Sequence, residues 1–117
     1  MNLIKQLFAS TDTNLDAAEA KSKLDGKNPP VLLDVRQQDE YRSGHIPGAV
    51  LIPLNQLGQR LHELPKDREI ICVCRSGSRS RMANRMLAQA GYNSLNLKGG
   101  MISWTRAGLS TKKGNTP

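Results

Sequence analysis

Acidic residues stop at Glu69: residues 1–70 carry 9 basic and 10 acidic side chains, while residues 71–117 carry 8 basic side chains and none that is acidic. Aromatic residues make up only 3% of the chain, two cysteines occur, and no apolar run approaches the roughly 18–20 residues that span a bilayer. Each shortage excludes something. With so few rings there is little to stack on bases, the basic residues are dispersed, and no helix-turn-helix, zinc-finger or RNA-binding motif is present, so nucleic acid is not an expected partner. Two cysteines spaced as Cys72-Val73-Cys74 cannot form the disulfide framework of a small secreted domain. On an extended strand their Cα atoms would lie roughly 6.5–7 Å apart, at the limit for a disulfide. Zinc needs about four ligands, and His45 and His62 stand far from the cysteines with no paired spacing. The first residues, MNLIKQLFAS, lack a continuous apolar core and a small-residue cleavage site, so a soluble, cytoplasmic chain is expected.

What remains is one domain's worth of globular sequence. The chain has 117 residues, 38% of them hydrophobic, and its ten glycines bring that share to about 47%, within the usual globular range. Its formal charge of +7 is compatible with an acidic protein, a membrane surface or a small anion as partner, and equally with a solvated basic face.

The pattern of elements predicts a small α/β domain with a mainly parallel sheet. A helix is expected within residues 11–26, capped by Thr13 with Asp16 three places on and stopped by Gly26. Strands are expected at Val31–Val35, Ala49–Leu54, Glu69–Cys74 and Asn93–Leu97. Gln38–Arg42 suits a turn of helix. Leu54, Leu57, Leu61 and Leu64 recur at helical spacing up to Pro65. After Cys74 a helix is expected with Ser78 or Ser80 as cap, with Met82, Ala83, Met86, Leu87 and Ala90 as its apolar face, and with Gly91 as its end. Gly99-Gly100 reads as a tight turn and Met101–Ala107 as a short helix carrying Trp104. The tail STKKGNTP offers nothing to pack and is expected to fray.

Cys74 ends the strand and opens the loop Arg75-Ser76-Gly77-Ser78-Arg79, which leads into a helix. At the carboxyl edge of a parallel sheet this is where ligand sites form. Gly77 allows an unusual backbone angle, so successive N–H groups can face inward as an anion nest backed by the helix N-terminus. Such surroundings favour a thiolate over the free thiol, whose pKa is about 8.5. Arg75, Arg79, Arg81 and Arg85 lie close in sequence and are expected to add a positive field. Cys72, inside the apolar strand, reads as core. A tyrosine-phosphatase loop would need arginine six places after the cysteine, where this chain has Ser80.

Three segments in order, LLDVRQQDEYRSGHIPGAVLIPL (32–54), CRSGSR (74–79) and LKGGMISWTRAGL (97–109), resemble a single-domain rhodanese over residues 11–109. The resemblance implies a three-layer α/β/α fold flanked by an extension at residues 1–10 and a flexible tail at 110–117. The six-residue loop is that of the sulfur-transferring branch; the related phosphatase branch has one residue more. The implied activity is a ping-pong sulfur transfer from thiosulfate or another anionic donor to cyanide or a thiol, through a persulfide on Cys74. The N–H groups from Arg75 through Ser76, Gly77, Ser78 and Arg79 to Ser80 would hold that persulfide, and Arg36, in the segment bordering the loop, is a candidate substrate-binding residue. No metal or organic cofactor is implied. The alternative is a persulfide carrier or sensor serving protein partners, with weak thiosulfate activity; a third reading is a reductase using Cys72 with Cys74. Asp34, Glu40, His45, Gly99, Gly100 and Trp104 read as scaffold, and Arg42 as a surface residue.

Overall fold

The computed structural model describes residues 13–117. Five parallel strands, β1 (Asn14–Leu15), β2 (Val31–Asp34), β3 (Val50–Leu51), β4 (Ile70–Val73) and β5 (Ser94–Leu97), form one sheet in the order β1-β5-β4-β2-β3. The helices are α1 (Ala17–Leu24), α2 (Gln38–Ser43), α3 (Leu54–Arg60), α4 (Ser78–Gln89) and α5 (Gly100–Arg106), with a 3-10 turn at Leu61–Glu63.

Alternation along the strands divides the core in two. Leu32, Ile71, Val73 and Leu97 face Ala17, Ala20, Tyr41, Met101 and Trp104, so α1, α2 and α5 cover one side. Leu33, Ile70 and Cys72 face Leu57, Ala83 and Leu87, so α3 and α4 cover the other. This is the expected three-layer α/β fold. Central β4 is buried at all four residues, which is why its sequence is continuously apolar instead of alternating.

Several boundaries differ from the sequence reading, each for a local reason. The first helix begins three residues later than expected. Asp16, not Thr13, is its cap: Asp16 Oδ1 accepts from the Glu19 amide and Glu19 Oε1 accepts from the Asp16 amide. This frees Thr13, Asn14 and Leu15 for an edge strand, too short to show any periodicity. The strand expected at Ala49–Leu54 is only Val50–Leu51 by pairing, although Ile52 and Leu54 still donate to the Asp34 and Val35 carbonyls. The leucine-spaced helix tightens into the 3-10 turn at Leu61. Neither Ser78 nor Ser80 caps α4; the cap is Gly77, at φ +107°. Met82 is not on the apolar face but 55% exposed.

The tail is not free of packing. Lys112 and His45 exchange backbone hydrogen bonds of 2.8 and 2.9 Å, and the Gly114 amide donates to Arg42 O. His45 is wholly buried and stacks on Tyr41 at 3.7 Å. Its Nδ1 lies 2.8 Å from Tyr41 O and its Nε2 lies 2.7 Å from Thr116 O. The tail thus supplies backbone partners that its polar side chains do not advertise.

Candidate active site

Cys74 follows directly on β4, at the carboxyl edge of the sheet and beside its centre. Strands β2, β4 and β5 all end at this edge, so the loops after them meet there. The loop after Cys74 turns at Gly77, whose positive φ would strain any side chain. A Cβ there would also meet Gly99 N at 3.3 Å. The turn aims backbone donors back at the sulfur. Gly77 N lies 3.1 Å from Cys74 Sγ, and Ser80 N and Ser80 Oγ each lie 3.3 Å from it.

Opposing forces act on this thiol. Burial, with none of Cys74 exposed, raises its pKa. The Ser80 hydroxyl and the amides of Ser80, Gly77 and Arg79 favour the anion, and together they prevail: the pKa lies below that of an ordinary thiol. The Ser80 hydroxyl is also 3.2 Å from Gly77 O. A thiol can donate to Ser80 Oγ while the hydroxyl donates to Gly77 O; a thiolate cannot donate, so the hydroxyl proton turns to the sulfur. Ser80 therefore accommodates both charge states of Cys74. Cys72 has no such donors; burial raises its pKa, and it sits wholly enclosed in the core.

The loop is held from below by α5. Met101 N donates to Cys74 O at 2.8 Å and Ile102 N to Arg75 O at 3.1 Å. Gly100 makes this approach possible, since a Cβ on it would lie 2.2 Å from Cys74 O and 2.7 Å from Arg75 O. From the sequence, Gly99 and Gly100 read only as turn and packing positions. Here Gly100 lets the amide end of α5 touch the loop, and the signal was the string KGGM.

The predicted arginines do not converge on the sulfur. Arg79 pairs with Glu40 of α2 through two bonds of 2.7 and 2.9 Å, so its guanidinium is occupied and its amide is what faces the thiol. That pairing is the main reason the Glu40 carboxyl is lowered from 4.5 to about 2; partial burial opposes it, and the Gln37 amide adds to it. Arg36 is nearly buried, bonds Asp34 through Nε and Nη2, and reaches Gly44 O at 2.8 Å. Asp34, wholly buried, is satisfied by that guanidinium and by the Arg36 amide. Arg81 and Arg85 are exposed along α4, and Ser76 and Ser78 are exposed in and beside the loop. Of these predicted site residues, only Arg75 combines an exposed side chain with a place in the wall of the adjoining cleft. This cleft, about 560 Å³, is lined by Arg36, Glu40, Arg75, Ile102, Thr105 and Thr111 among others. A cavity of about 600 Å³ lined by Pro29, Pro47 and Trp104 lies at the amino ends of β2 and β3 and includes no cysteine or histidine. Among the described residues no cluster of metal-ligating side chains occurs, and no helix is long and apolar enough to cross a membrane.

A buried thiol ringed by amide donors, ending the middle strand of a parallel sheet, can form a stabilised anion that attacks an electrophilic sulfur. Comparison with known proteins agrees with the architecture. Residues 16–107 match the model of the rhodanese-like domain. A protein named sulfurtransferase from Allochromatium vinosum is 40% identical over 96 residues, covering 81% of this chain and 90% of its own. The provisionally named sulfur carrier protein YrkF of Bacillus subtilis is 39% identical over 98 residues, which is 83% of this chain but 53% of YrkF. The crystal structure of a rhodanese-related protein from Thermoplasma volcanium superposes with a TM-score of 0.79 at 29% identity, over 85% of this chain and 96% of that one. With its fold, its loop after β4 and these relatives in agreement, the chain belongs to the rhodanese-like domain family.

Proposed function

We propose that this protein is a sulfurtransferase of the rhodanese type, carrying a sulfane sulfur on Cys74. The observation that carries the reading is the set of donors on Cys74 Sγ, from Gly77 and Ser80, which supports an anion where one is needed. With thiosulfate as donor, the Cys74 thiolate attacks the outer sulfur, and the bond between the two thiosulfate sulfurs breaks. Sulfite leaves with that electron pair and the enzyme keeps a persulfide anion. An acceptor, cyanide or a thiolate, then attacks the outer persulfide sulfur and returns the Cys74 thiolate. Neither half needs an added oxidant, metal or cofactor. Amides from Arg75 to Ser80 hold the persulfide charge, and Arg75 at the cleft draws in the anionic donor. Since none of Cys74 is exposed, attack on the donor requires the residues around the sulfur to give way.

A second reading is a persulfide carrier whose donor and acceptor are proteins. It is favoured by the cleft, which offers one uncommitted guanidinium, where a dedicated site for a doubly charged anion would use more. YrkF's name points the same way for that relative. The reductase reading is disfavoured by Cys72, whose sulfur is enclosed and has no donors to support a thiolate.

The test is intact mass after brief incubation with thiosulfate. The expected result is a gain of one sulfur atom in the wild type, removed by cyanide and absent from Cys74→Ser. No gain on folded, reduced protein sinks thiosulfate as donor; loading from a persulfidated protein instead would establish the carrier.

A further inference from the structure

The outward face of α4 carries side chains that neither the fold nor the loop uses. Arg81, Met82 and Arg85 are all exposed there. Met82, at 55%, is the more open of the two large apolar side chains left exposed among the described residues; the other is Val50, at 36%. Arg81 and Arg85 stand four apart, so they are neighbours of like charge on the helix surface, a mildly unfavourable arrangement for the helix alone. Among the described residues the ion pairs engage Lys21, Lys23, Arg36, Arg60 and Arg79, and neither of these two. No acidic residue occurs from position 71 onward to supply a partner along the same stretch.

This stripe starts at the candidate site. The exposed Arg75 and Ser76 lie in the loop, Ser78 opens α4, and Arg85 is about 10 Å further along the axis. Lys98, also exposed, follows β5 at the same edge of the sheet. We propose that this face is the docking surface for an acidic protein that exchanges sulfur with Cys74. The partner's carboxylates pair with Arg81 and Arg85, and an apolar recess takes Met82. Arginine and methionine are enriched at protein interfaces, and a flexible thioether adapts to a partner's surface. A single-stranded nucleic acid would need aromatic platforms, and the stripe has none. That the exchanged group is sulfur rests on the function proposed above; the surface itself is testable by binding alone.

The probe is a fluorescein-labelled helical peptide bearing glutamates that flank a leucine, with a cysteine at one end, compared with its glutamine counterpart by fluorescence anisotropy. The acidic peptide is expected to bind at least tenfold more tightly than the glutamine peptide at low salt. Arg81→Gln with Arg85→Gln is expected to weaken it about tenfold, and Met82→Ala at least threefold. The charge-matched control Arg106→Gln with Lys113→Gln is expected to change it less than twofold. An equal loss in the control would reduce the effect to net charge and overturn the proposal, as would indifference to Met82→Ala. Tighter binding of an oligonucleotide or of phosphatidylglycerol vesicles through the same arginines would also overturn it. A protein that binds the peptide but takes no sulfur on Cys74 would keep the docking surface and lose the sulfur-transfer reading.

Discussion

Cys72 and Cys74 carry the same side chain two residues apart, one within β4 and one directly after it, yet the two sulfurs have opposite characters. Both are buried, and burial alone raises a thiol's pKa. What separates them is two residues of chain: Cys74 lies where the ladder ends, so the turn at Gly77 can direct donors to it, while Cys72 has strands on either side. A hydrogen bond to an ionised group contributes about 1.5–3 kcal/mol, and 1.4 kcal/mol is a tenfold change in equilibrium. Ser80→Ala removes one such donor and leaves the amides in place. At a pH below the thiol's pKa the thiolate fraction, and with it the rate of alkylation by iodoacetamide, is expected to fall about tenfold. The alkylation profile should therefore move to higher pH, while the far-UV spectrum is unchanged. A profile identical to wild type would show that the amides alone hold the anion.

Elements decide where the loop rests. Helix α5 spends its first free amides on Cys74 O and Arg75 O, so its N-terminus is a support for the site rather than a ligand cradle. Gly100→Ala is expected to be severe, because the atoms it would strike are backbone carbonyls and the position has φ +54°. Either α5 withdraws and leaves those carbonyls unpaired, or the loop shifts; in both cases at least about 2 kcal/mol is lost. Thermal unfolding checks this, with Gly108→Ala as a comparison: that position also has positive φ but open space around its Cβ, so only the backbone cost remains. Equal melting temperatures for the two variants would contradict the role assigned to α5. Next to the cleft, the tail and α2 enclose His45.

For the molecule as a whole, the Arg79–Glu40 pair ties α4 to α2 across the loop edge, joining helices from opposite layers of the sheet. It links stability to pH with a definite sign. Glu40 has a folded pKa of about 2 against an ordinary value of 4.5, so its contribution is complete above about 4.5 and is lost as pH falls through about 2. Glu40→Gln is expected to lower stability at pH 7 and to flatten its decline between those values. Urea midpoints at pH 7, 4 and 2.5 test this; a variant that loses stability in parallel with wild type at all three would deny the coupling.

The charge asymmetry, the buried strand ending at Cys74, the small-residue loop and the helix after it could all be read in order along the chain, because each depends on near neighbours. Strand–helix alternation likewise implied a parallel sheet, since parallel strands need crossovers. The Asp34–Arg36 pair likewise joins residues only two apart. The sequence by itself therefore determined the fold class and pointed to Cys74. It did not determine which arginines were free. Arg79 lies 39 positions from Glu40, and only the packing of α2 beside the loop brings the two together. Nor did it show that the tail would reach back to His45, or that Asn84 would bond Thr13 across 71 positions. Those contacts depend on which surfaces the sheet order β1-β5-β4-β2-β3 makes adjacent, and no local pattern of residues encodes that order.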